Sequence, residues 1–162
     1  MRPWLIAIGL VIALLVGTGF TQAEVLDGRV VRIVDGDTIV VDHGGERRKV
    51  RLSAIDTPER DQPWGEAATK EMRRLVAGKT VSVDWHKEDR WGRLIGNVYA
   101  DGEDVGRLMV ERGMAWHYKR YAMEQRASDR VAYSDAERAA KAAKHGLWSD
   151  PEPIPPWEWR KR

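Results

Sequence analysis

The chain has 162 residues, with 27 Lys or Arg, 25 Asp or Glu, a formal charge of +2 and no cysteine. Absence of cysteine excludes disulfides, thiolate nucleophiles, zinc–thiolate centres and lipidated cysteines. Near-balanced charge excludes a polyanion binder that works by bulk attraction, so any grip on phosphate must come from a few placed cations.

Arg2 charges the N-terminus, Leu5 to Val16 is almost entirely apolar, and small or polar residues lead to Thr21-Gln22-Ala23. That order predicts a secretory signal peptide over 1–23, cut after Ala23. An uncleaved anchor over 4–20 is the alternative, although the run is short for a span of about 20 residues. In both cases the remaining chain is expected outside the cytoplasm, in a periplasm or the medium. It divides into one domain over 24–149 and a tail over 150–162.

From Gly28 to Tyr99 the signals are strand and turn. Gly28–Val34 runs into Asp35-Gly36-Asp37-Thr38, Ile39–Val41 resumes, His43–Glu46 turns, and Arg48–Leu52 forms a third β-branched run. Such runs between Gly and Asp turns read as a meander. A helix is predicted over Trp64–Val76, with Ala68, Met72 and Leu75/Val76 on one face and Gly78 as its stop. Thr80–Trp85 and Leu94–Tyr99 are further strands. A short helix starts near Asp104 and ends at Gly113, and a last one covers about Ser128 to His145, with Ala132, Ala136, Ala139/Ala140 and Ala143 as its stripe. Five strands and then helices predict an α+β fold, a five-stranded barrel of the OB type with three packed helices. Pro151 to Arg162 holds four of the chain's seven prolines and predicts a flexible, polyproline-like tail in which Trp157 and Trp159 stand free.

Several catalytic plans are absent. His43, His86, His117 and His145 never approach a metalloprotease spacing, and neither a G-x-S-x-G elbow nor a phosphate-cradling G-x-x-x-x-G-K occurs. Carboxylates and arginines remain. Asp35, Asp37, Asp56 and Glu59 lie at the ends of apolar strands, and clustered hard oxygens are what Ca²⁺ requires. Taken alone, Asp-Gly is an ordinary hairpin turn and Asp-Thr-Pro an ordinary turn or helix start. Arg51 and Arg93 could be no more than exposed ion-pair partners; as planar guanidiniums they also suit bidentate recognition of phosphate.

The order of the motifs is more specific than any one of them. Asp35-Gly-Asp-Thr38, Arg51, Asp56-Thr-Pro-Glu59 and Asp89-Arg-Trp-Gly-Arg93 are followed by Tyr99-Ala-Asp-Gly and a closing Gly146-Leu-Trp. The set resembles the staphylococcal nuclease (thermonuclease) family over about Val25 to Trp148. The resemblance implies a Ca²⁺-dependent endo- and exonuclease acting on DNA and RNA, leaving 3′-phosphate products. It also implies that Asp37, Asp56 and the Thr57 backbone carbonyl hold the metal, with Asp35 behind them ordering water. Glu59 would orient or deprotonate the attacking water, and Arg51 and Arg93 would hold the scissile phosphate. Tyr118, and more loosely Tyr121, fall where the family contributes tyrosines to the nucleotide site. Arg90 could touch a terminal phosphate or stand as a solvated charge.

Two departures stand out. Only Arg60 to Trp64 separates the Thr-Pro-Glu motif from the helix, which predicts a more open cleft. Trp91 replaces the type member's tyrosine and could stack on a base or pack as a rim aromatic. Denatured or single-stranded substrate is expected, with no protein partner and a monomeric state. The competing readings are a non-catalytic OB module that binds single strands, and a surface protein using Ca²⁺ for stability. A degenerate module should lack some of the acids or arginines, and all are present. The stability role leaves the two arginines unexplained.

Overall fold

A computed structural model describes residues 24–162. The expected signal peptide or anchor within 1–23 lies outside the described residues, among which no helix is long and apolar enough to cross a membrane.

The β-branched runs form β1 (Glu24–Ile33), β2 (Thr38–His43) and β3 (Glu46–Leu52), an antiparallel meander. β5 (Thr80–Glu88) pairs with β1 and with β6 (Arg93–Ala100), again antiparallel. A parallel pairing of β3 with β6, from Lys49↔Arg93 to Leu52↔Gly96, closes five strands into a mixed barrel. This is the expected OB-type architecture. Closure removes the open edges and sets β3 beside β6, the strands that carry Arg51 and Arg93.

Alternation decides which side chains reach the barrel interior. Leu94, Val98 and Ala100 of β6 are buried, while Arg93, Ile95 and Asn97 take the other face. Ile39, Val41, Val50, Leu52, Val81 and Val83 complete the interior. Helix α1 (Gly65–Val76) covers it with Ala68, Met72, Leu75 and Val76, the predicted face. α2 (Val105–Glu111) starts where Asp104 accepts the Arg107 N–H at 3.1 Å.

α3 (Ala127–Ala142) corrects one expectation. Its buried stripe is Tyr133, Ala136, Glu137 and Ala140; Ala132, Ala139 and Ala143 are exposed. Alanine occurs all round this helix, so its spacing does not define a face. Tyr133 does, through its large apolar body and a hydroxyl that donates to Asp104 at 2.8 Å.

Two short features escaped the sequence reading. β4 (Ile55–Asp56) pairs antiparallel with β8 (Trp116–His117), and β7 (Glu103–Asp104) turns back to pair antiparallel with the end of β6. Strands of two residues carry no periodicity to read.

The extended tail is also corrected. Pro156 sits at the first turn of a short helix, α4 (Pro156–Trp159), where its fixed φ suits the helix and its missing N–H costs nothing. Pro156 is buried, and Trp157 stacks edge-on to Trp116 at 5.5 Å. Trp116 in turn lies 4.3 Å from Trp148, so the tail joins a second apolar cluster with Leu147 and Ala140.

Candidate active site

The Asp35–Thr38 turn and the Asp56–Glu59 turn meet at the barrel mouth. Gly36 makes the approach possible: a Cβ there would lie 2.8 Å from Thr57 Oγ1 and 3.0 Å from the Ala68 Cβ. Gly65, the first residue of α1, has even less room, since a Cβ would stand 1.8 Å from the Glu59 carbonyl oxygen. The turn glycine therefore serves close packing between motifs as well as the turn itself.

Asp37 is buried and fully engaged. Its Oδ2 accepts the Thr57 backbone N–H at 3.1 Å and the Thr57 hydroxyl at 3.0 Å. Its Oδ1 accepts the Thr38 hydroxyl at 3.0 Å and faces Arg51 Nε at 3.2 Å. Asp35 stands behind it and accepts the Asp37 N–H at 3.1 Å. Burial, and then repulsion from Asp37, push the Asp35 carboxyl up to about 6.

Asp56 is 2% exposed, fixed by the pairing of β4 with β8. Arg51 bridges the two buried acids, with Nη2 3.1 Å from Asp56 Oδ1 and Nε on Asp37. The Leu52 and Ile55 carbonyls, at 2.7 and 3.0 Å, hold its Nη1. Burial raises the Asp56 carboxyl above its ordinary value, although Arg160 and Arg51 pull the other way.

Glu59 is half-exposed. Its backbone N–H donates to the buried Gln62 side chain at 3.0 Å, which anchors the short 60–64 loop. Arg93 is aimed by Asp89, which accepts its Nε at 2.8 Å and its backbone N–H at 3.0 Å. Among the described residues nothing hydrogen-bonds the two Nη groups of Arg93, which leaves them to a ligand.

One cleft of about 850 Å³ takes in Asp35, Asp37, Arg51, Asp56, Thr57, Glu59, Trp91, Arg93, Tyr118 and Tyr121. Every candidate except Arg90 therefore lines the same space. Arg90 lies over the Trp91 ring at 4.2 Å, with Arg93 at 5.1 Å from it. Trp91 is 64% exposed, which disfavours the alternative in which it packs on the barrel. Tyr118 and Tyr121 pack edge to face at 5.5 Å, and Lys87 Nζ stands 5.2 Å from the Tyr121 ring.

Sequence reasoning missed Arg160. Its Nη2 lies 2.8 Å from Asp56 Oδ2 and its Nη1 2.6 Å from Glu59 Oε1. A single arginine in a Pro/Trp segment, about 100 residues from its acids, carries no local signal. Asp89 was legible only as part of its motif, and its role in holding Arg93 emerges from the turn geometry.

The donor set suits a hard divalent cation. Asp37, Asp56 and the Thr57 carbonyl offer only oxygen. Among the described residues no three acidic or imidazole groups converge into a preformed cage, so a metal here would keep several waters. Asp37 also adds to the rise of the buried Asp56 carboxyl, a repulsion that added positive charge relieves.

Comparison with known proteins agrees with this geometry. Residues 49–150 match the family model described as staphylococcal nuclease homologue. The chain is 44% identical over 138 residues to a protein named an uncharacterized endonuclease in Escherichia coli O157:H7, covering 85% of this chain and 86% of that one. It is 38% identical over 143 residues to a micrococcal nuclease of Shigella flexneri, covering 83% and 80%. Identity to a staphylococcal-like nuclease of Arabidopsis thaliana is 39% over 113 residues, 70% of this chain and 33% of that longer protein.

Proposed function

The chain belongs to the staphylococcal nuclease family and is a nuclease, and from that premise we propose that it is a Ca²⁺-dependent phosphodiesterase of DNA and RNA. The observation that carries the reading is Arg51. One guanidinium bridges the two buried acids, with Glu59 and Arg93 on the same cleft.

A phosphodiester anion repels an attacking oxygen, so its charge must be offset before the bond forms. Arg51, held by two carbonyls and both acids, presents its remaining Nη2 N–H, and Arg93, aimed by Asp89, presents its Nη groups, so that the two arginines together hold the phosphate oxygens. Their attraction grows as negative charge accumulates on the equatorial oxygens of the five-coordinate phosphorus, so they favour the transition state over the ground state. Asp37, Asp56 and the Thr57 carbonyl would hold a divalent cation, which would supply further charge neutralisation at the phosphate. Glu59 takes a proton from the attacking water at a carboxylate oxygen while the new P–O bond forms. The bond to the 5′ oxygen breaks, that oxygen takes a proton from solvent, and the 3′ side keeps the phosphate. Neither arginine serves as the acid, because a guanidinium does not release its proton at these pH values.

Tyr118, Tyr121 and Trp91 give unstacked bases three aromatic surfaces, which favours single-stranded or denatured substrate. A monomeric state is part of the same proposal. Export through residues 1–23 completes the proposal.

The test is cleavage of denatured DNA by the purified protein with Ca²⁺ or with a chelator, followed by analysis of product ends. Cleavage only with Ca²⁺, and 3′ ends that block extension until a phosphatase acts, is the expected result. Binding without cleavage under every metal condition would move the chain to the OB binding modules. Cleavage that leaves 3′-hydroxyls would refute the assigned bond.

A further inference from the structure

The C-terminal turn crosses the site, and its contacts form one continuous path. The Gln62 amide donates to the Ile154 carbonyl at 2.6 Å, and the Trp159 indole N–H donates to Asp61 at 3.2 Å. Trp157 covers Tyr118, with ring centroids 5.4 Å apart. Arg160 ends the path on Asp56 and Glu59. The segment therefore touches the metal end, the proposed base and the stacking surface of one cleft.

We propose that Arg160 is a tethered cation that competes with the divalent metal for Asp56, and that residues 154–160 form a strap displaced when metal and substrate bind. This rests on the reading of Asp56 as a metal ligand and Glu59 as the base. Arg160 reaches both Asp56 oxygens, at 2.8 and 3.4 Å, and Arg51 already takes Oδ1 at 3.1 Å, so a guanidinium stands at each oxygen that a metal would need. The same guanidinium occupies Glu59 Oε1 at 2.6 Å, where the attacking water would have to sit. The competition is reversible in design. The Arg160 side chain is 45% exposed, so its release removes little buried surface. Trp157 is the heavier latch, and a nucleobase stacking on Tyr118 would take its place. Reciprocity then makes metal and strap mutually exclusive, each weakening the other by the same factor.

The experiment uses the full chain, as wild type, Arg160→Ala and Arg160→Lys, titrated with Ca²⁺ by calorimetry. Amide exchange of the C-terminal segment is followed with and without Ca²⁺. Arg160→Ala is expected to bind Ca²⁺ roughly tenfold tighter, with Arg160→Lys between the two. Without metal its melting temperature should fall, because Asp56 loses a partner, while the rise on adding Ca²⁺ should exceed that of wild type. In wild type, saturating Ca²⁺ should speed exchange over residues 157–162. Equal Ca²⁺ affinity in all three proteins, or strap exchange indifferent to Ca²⁺, would overturn the proposal. So would a loss of cleavage in Arg160→Ala at unchanged Ca²⁺ affinity, which would make Arg160 a phosphate clamp. Absence of both Ca²⁺ binding and cleavage would instead refute the metal assignment, and the strap would fall with it.

Discussion

Two buried acids, Asp56 and Glu137, are almost equally shielded, at 2% and 4% exposure, yet they titrate in opposite directions. Burial pushes both carboxyls up. At Glu137 the Lys119 ammonium, Lys141 and the His117 backbone N–H outweigh it and hold the carboxyl below its ordinary value. At Asp56, two arginines do not outweigh burial and the nearby Asp37, and the carboxyl stays high. Burial alone is therefore no mark of function. Glu137 ties α3 to β8 and its charge is fully answered. Asp56 feels burial and Asp37 more than its two arginines can offset, and a bound cation would supply the missing positive charge.

Removing a cation from each region sharpens the contrast. Arg51→Ala leaves Asp37 without its guanidinium and Asp56 with one of two. It should lower turnover by about 10²–10⁴ and destabilise the metal-free fold by about 3 kcal/mol. Glu137→Gln keeps an acceptor for the His117 N–H but leaves Lys119 and Lys141 without their anion. A loss of about 1–3 kcal/mol is expected, with turnover per folded molecule unchanged. Saturating Ca²⁺, read by thermal melts, should restore part of the stability of Arg51→Ala and none of that lost in Glu137→Gln. Equal rescue of both would erase the distinction.

A smaller effect separates the regions by pH. Asp35 titrates near 3.8 when unfolded and at about 6 when folded, so the folded protein binds more proton between those values. Stability of the metal-free protein falls as pH rises through that window, and the loss is complete above about 6. Glu137 acts oppositely: its depressed pKa gives stability above its unfolded value that is lost as pH falls through the folded one. Asp35→Asn should therefore stabilise the metal-free protein at pH 7 by about 1–2 kcal/mol, after allowance for partial exposure. The gain should vanish at low pH. A variant that is less stable than wild type at neutral pH would break the account of this acid.

The sequence showed the barrel because β-branched runs between Asp and Gly turns write strands plainly, and α1 because Ala68, Met72 and Leu75 hold a clean period. It showed the acids and arginines of the cleft because they cluster in four short motifs. It hid what depends on distance along the chain. The pairing of Asp56 with Trp116 and the reach of Arg160 to Asp56 join segments with no shared pattern. Alanine spacing misplaced the buried face of α3, because a residue found on every side cannot report one. The tail was misread because Pro156 at a helix start and proline in an extended segment look alike in composition.

The central claim is that Glu59 accepts the proton from the attacking water at a charge-neutralised phosphate. The most direct measurement is single-turnover cleavage of a labelled single-stranded oligonucleotide, with saturating Ca²⁺, by wild type and Glu59→Gln. Substrate binding and thermal unfolding should be recorded on the same samples. A rate lower by about 10²–10⁴ in a folded variant that still binds substrate is the expected result. A rate within about threefold of wild type, far below the loss expected on removing a base, would contradict the role assigned to Glu59.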